Sequence, residues 1–184
     1  MSWAAESWWM TIEEIERGLA ALEELINASR DAIAEGTDAV QKNEATLLAR
    51  MAATAATIVP AAGLEVMARG KVDGSGEMFD QNFYPEKMLI LARTEPMPFR
   101  PDNPEKAVTD QFCVLRADGT LAELMYSNDT VLVDSLLAPI APEDALAIYG
   151  PELLYMLYRA LRQYLEGQEA LLDALRTTLE YIHG

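Results

Sequence analysis

Residues 153–182 read LLYMLYRALRQYLEGQEALLDALRTTLEYI, with an apolar side chain at almost every third or fourth place: Leu154, Tyr158, Leu161, Leu165, Leu172, Leu175, Leu179 and Ile182. That is the period of an α-helix with one apolar face. At 1.5 Å per residue the stretch forms a rod of about 45 Å. Gly150 ends whatever precedes it, and Pro151 suits the first helical position, where no N–H is needed. Leu157, Tyr164 and Leu171 widen the stripe on one edge, and Arg162, Glu169 and Arg176 flank the other. A two-stranded coiled coil would leave part of that width bare, so the pattern predicts a bundle with partners on two sides.

The partners expected within the chain come from its other end. Thr11 and Glu14 have capping-box spacing, and Ile12, Ile15, Leu19, Leu22, Ile26 and Ile33 follow at heptad spacing, broken only by Ser29. Gly36 reads as a stop and Thr37 or Asp38 as a new N-cap, giving a first helix over about 12–35. A second helix carries Val40, Leu47, Met51 and Ile58 and ends near Pro60. So short a connection predicts an antiparallel helical hairpin, against which the C-terminal helix would lie.

Between the two helical ends the texture changes. GKVDGSGEMFDQNFYP, beginning at Gly70, has no period and reads as a loop. Its DGSGEMFD portion begins like a calcium loop but has Met78 where a Gly is needed and Tyr84 where a bidentate Glu is needed. MLIL at 88–91 has strand length, and Pro96, Pro98, Pro101 and Pro104 exclude regular structure up to about Ala107. FCVLRADGTLAELMY places Asp118-Gly119 between two apolar runs, the signature of a β-hairpin with a two-residue type I′ turn. TVLVD adds a third strand, and Pro142 with Glu143 and Asp144 opens a short helix.

The predicted fold class is therefore α+β: a bundle of a long N-terminal helical hairpin (11–69) and long C-terminal helices (142–183), with a small antiparallel β-meander inserted (70–138). The chain of 184 residues is read as a single domain. Half of it is apolar, which is enough for a core despite a formal charge of -16.

Thirty acidic against fourteen basic residues exclude free nucleic acid as a direct partner and disfavour anionic membrane surfaces. A basic protein would be attracted. One cysteine, Cys113, allows no intrachain disulfide, and MSWAAESWWM lacks the pattern of a signal peptide. The expected setting is cytoplasmic.

Little points to catalysis. His183 is the only histidine, which excludes multi-histidine zinc sites, and Cys113 lies mid-strand as an inert thiol does. No nucleophile elbow, phosphate-binding loop or dinucleotide fingerprint occurs. No catalytic, metal or cofactor residue is assigned, and no cofactor is expected. Two features suggest partner binding instead. Trp3, Trp8 and Trp9 cluster ahead of the first helix, either as a lid on the bundle or as an anchor for a partner. Glu13, Glu16, Glu23 and Glu24 lie in a carboxylate-dense segment that reads as a solvated face or as a mimic of a phosphate backbone.

The function expected is a non-catalytic protein–protein interaction or assembly protein, self-associating through its long helices. The alternative is an acidic nucleic-acid mimic, a decoy for a basic nucleic-acid-binding protein. A third reading is a small-molecule-binding domain or enzyme with a pocket around Tyr84, Phe99 and Tyr126.

Overall fold

The computed structural model describes residues 12–129 and 131–183. The chain is α+β, and it divides into two compact units, Met1–Lys42 and Asn43–Gly184. The first helix, α1 (Ile12–Ala55), contributes to both. The expected capping box begins at Thr11, outside the described residues.

The predicted break at Gly36 is absent, because α1 runs unbroken for 44 residues and no helical hairpin forms there. A Gly stop requires the left-handed backbone, which among the described glycines only Gly76, Gly119 and Gly150 adopt. Thr37, expected as a restart cap, instead donates its hydroxyl to the Ile33 carbonyl one turn back, 2.8 Å away. A lone Gly in mid-helix costs about 1 kcal/mol relative to Ala. Ala32, Ala34 and Glu35 before Gly36, and Ala39, Gln41 and Lys42 beyond the weaker Thr37 and Asp38, are good helix formers that offset part of that cost.

In the larger unit, a 3₁₀ turn (Ala56–Ile58) and the one-turn helix α2 (Val59–Ala62) lead into the sheet. Six strands follow: β1 (Met67–Val72), β2 (Met78–Phe83), β3 (Met88–Thr94), β4 (Asp110–Arg116), β5 (Leu121–Asn128) and β6 (Leu132–Pro139). All neighbours are antiparallel, in the order β2-β1-β6-β5-β4-β3. The stretch from Gly70 to Phe83, read from sequence as a loop, is thus a second hairpin. Its turn is organised by Asp73, whose Oδ1 accepts from Ser75 N (2.8 Å), Ser75 Oγ (2.6 Å) and Glu77 N (2.9 Å). The Ser75 hydroxyl chiefly, helped by those amides, holds the Asp73 carboxyl below its ordinary range.

The hairpin at Asp118-Gly119 forms, with a different turn. Gly119 N donates to the Arg116 carbonyl and Arg116 N to the Thr120 carbonyl, each at 3.0 Å. Only Gly119 has positive φ (86°), whereas a type I′ turn would need it at Asp118 also. This is a three-residue loop, a type I turn closed by a glycine bulge.

One isolated bridge reaches from the lead-in of β1 to the edge strand β3. Leu64, ahead of β1, exchanges hydrogen bonds of 2.8 and 3.0 Å with Met88 at the start of β3, joining the far end of the strand order to the lead-in of β1. Val66, Met88, Val114, Ala122 and Leu124 form one core cluster, flanked by Tyr84, Phe112 and Tyr126. The opposite face carries the second cluster. There Cys113, Leu115 and Leu121 from the strands meet Leu48, Ala52 and Ala55 of α1 and Val59 of α2.

Two further helices complete that layer: α3 (Pro142–Tyr149), ended by Gly150 with φ 79°, and α4 (Glu152–His183). Ala145 of α3 and Leu153 and Leu157 of α4 are fully buried in the same cluster. The segment Ile12–Ala62 is long and apolar enough to cross a membrane by length and composition. A third of its most apolar window is buried, with Leu48, Ala52, Ala55 and Val59 seated on the sheet.

A loop without regular structure, residues 95–109, is held to the sheet by polar contacts. Gln111, 2% exposed, accepts from Met97 N (2.9 Å) and donates to Glu123 Oε1 (2.8 Å), which also accepts from the Tyr149 hydroxyl at 3.1 Å. Gln111→Leu keeps most of the volume but strands the Met97 N–H and removes a donor from Glu123. The expected loss is about 2 kcal/mol. Urea unfolding should show it as a lower midpoint at unchanged slope.

Candidate interaction surfaces

Among the described residues, α1 and α4 carry long exposed apolar ridges. α4 is anchored by Leu153 and Leu157, with Leu161 packed beside them, and from Leu165 to Ile182 every residue is exposed. Leu165, Leu172, Leu175, Leu179 and Ile182 each expose half or more of their surface. On α1 residues 12–43 are exposed throughout, including Ile12, Ile15, Leu19, Leu22, Ile26, Ile33 and Val40. The sequence reading expected these two ridges to be sealed together in one bundle. Leu19 is 54% and Leu172 53% exposed, so each ridge is bare within its own unit and the bundle is not confirmed.

The regular spacing is intact on both helices, so each presents a continuous apolar ridge with charged edges. Soluble proteins scatter single exposed leucines widely, whereas contiguous exposed apolar surfaces occur at protein–protein contacts, membrane surfaces and ligand grooves.

Glu13, Glu16, Glu23 and Glu24 all lie on the exposed part of α1. They do not share one face: Glu16 and Glu23 border the apolar ridge, while Glu13 and Glu24 lie farther around the helix. Trp3, Trp8 and Trp9 fall outside the described residues.

The edge strand β2 is exposed along its whole length, with Met78, Phe79 and Phe83 each about half exposed. Its pairing with β1 is irregular at two points, and Asp80 has φ 51°, so it offers no flat template for another strand.

The pocket anticipated around Tyr84, Phe99 and Tyr126 does not assemble as such. The Tyr84 and Tyr126 hydroxyls are engaged by Ser135 Oγ (3.0 Å) and the Met67 carbonyl (2.8 Å), and Phe99 is 55% exposed on the proline-rich loop. An open cleft of about 330 Å³ lies instead beside Met67, Met78, Phe112 and Tyr126. Burial raises the Tyr126 phenol to about 12, so it stays protonated at neutral pH. Cys113 is fully buried and its thiol is pushed up to about 12, first by burial and then by the Glu123 charge. It is unsuited to act as a nucleophile.

One polar cluster escaped the sequence reading. Arg100, 6% exposed, donates from Nε and Nη2 to the two carboxylate oxygens of Asp102 (2.8 and 2.6 Å). Its Nη1 lies 3.1 Å from Asp134 Oδ2, close enough for ion pairing but without hydrogen-bond alignment. Lys106 also pairs with Asp134. Because these charges already engage one another, the cluster fastens the loop to β6 and leaves no free charge to recruit a ligand. Among the described residues no group of three potential metal-ligating side chains occurs.

No protein family, curated protein or solved structure was found to match the chain.

Proposed function

We propose that this protein is a non-catalytic assembly protein that associates with further copies of itself, or with a protein partner, through the bare ridges of α1 and α4. A cytoplasmic setting and a role for Trp3, Trp8 and Trp9 in anchoring the partner belong to the same proposal. The observation that carries it is the α4 ridge: from Leu165 to Ile182 the helical apolar period continues about 26 Å beyond the last residues packed on the sheet. Water-facing leucines at that spacing have no use in an isolated chain, whereas in an assembly each removes apolar area from solvent.

Light scattering across a concentration series tests self-association, with a mass above one chain as the expected result; a strict monomer at the highest attainable concentration refutes it and leaves only the protein partner. Salt separates self-association from the acidic-decoy alternative. Copies bearing a formal charge of -16 repel one another, so added salt should hold or tighten self-association. Binding of a basic partner through Glu13, Glu16, Glu23 and Glu24 would weaken steeply as salt rises.

A further inference from the structure

Resting on the self-association just proposed, we infer that the occupant of the α4 ridge is a second copy docked antiparallel on the same ridge, with a two-fold axis passing between Asp173 and Ala174.

On α4 the exposed core positions are Leu165, Gln168, Leu172, Leu175, Leu179 and Ile182. In an isologous antiparallel pair, residue i meets j while j meets i. An axis between Asp173 and Ala174 maps this set onto itself. Leu165 meets Ile182 of the second copy, Leu172 meets Leu175, and Gln168 meets Leu179, so the bare stretch is covered end to end.

The charged edge selects the same register. Arg162, Glu169 and Arg176 alternate in sign one heptad apart, and edge residues of this kind face their own counterparts in an antiparallel pair. The stated axis sets Glu169 against the second copy's Arg176, twice by symmetry. Sliding the pair by one heptad step toward the N-terminus sets Arg162 against Arg176 and Glu169 against itself. Arg176 is available for this role: its contact to Asp173 is loose, 3.6 Å between groups about three-quarters exposed.

Sedimentation of charge-exchanged full chains tests this. Glu169→Arg and Arg176→Glu should each weaken dimerisation by about tenfold, because two attractive contacts become two repulsive ones. The double exchange should return it to within about threefold of the parent. Effects confined to one helix act on monomer and dimer alike and cancel. A dimer in which the double exchange restores nothing overturns the antiparallel arrangement and leaves self-association standing. A strict monomer overturns both.

Discussion

Leu172→Asp combined with Leu175→Asp should convert the assembly to single chains while leaving the folded sheet unit intact. Four leucines per dimer leave the interface in this variant. Full burial of each is worth about 1.5–3 kcal/mol, and these start only half exposed. Taking roughly 1 kcal/mol apiece gives about 4 kcal/mol, or on the order of a thousandfold in Kd. Carboxylates brought face to face across the seam would add to the loss.

Two controls make that result specific. Ala170 and Thr177 lie on the side of α4 opposite the ridge, so Ala170→Asp with Thr177→Asp adds the same charge and should leave the mass unchanged. The variant's unfolding midpoint, extrapolated to infinite dilution, should match the parent's, since Leu153, Leu157 and Leu161 are untouched and hold α4 to the sheet. A dimer that persists in the ridge variant, by sedimentation or light scattering, would remove α4 from the interface.

The features visible in the sequence and those hidden from it differ in how local their causes are. The α4 rod was legible because its period is unbroken and Gly150-Pro151 punctuates its start. The β4–β5 hairpin was legible from Asp118-Gly119, although the number of loop residues depends on whether Asp118 adopts positive φ, which the dipeptide alone does not decide. α1 was misread at Gly36 because a Gly stop and a tolerated helical Gly look alike in one dimension. β1 and β2 were missed for another reason: β2 is exposed on both faces, so it shows no alternation, and β1 carries Arg69, Gly70 and Lys71 where a strand signal would be apolar. The carboxylates Glu13, Glu16, Glu23 and Glu24 lie on the exposed part of α1. The Arg100–Asp134 contact joins residues 34 apart, beyond the reach of any local pattern.

That contact carries the other large expected effect. Arg100→Ala should cost about 3 kcal/mol, because removing one member of a buried ion pair leaves its partners' desolvation uncompensated. Asp102 and Asp134 differ in what they would suffer. Asp102 is 42% exposed and regains water, whereas Asp134 is 21% exposed and would retain only Lys106. Asp134→Ala should therefore cost as much as Arg100→Ala, since it leaves the more deeply buried guanidinium with Asp102 alone. The double variant should cost clearly less than the two singles added, as members of one network do not contribute independently. The Arg100 amide donates to the Lys106 carbonyl at 2.9 Å through the backbone, so the loop retains its own closure in every variant. Denaturant unfolding of the four proteins completes the cycle: strict additivity would show that Arg100 and Asp134 stabilise the loop independently, contrary to the network drawn above.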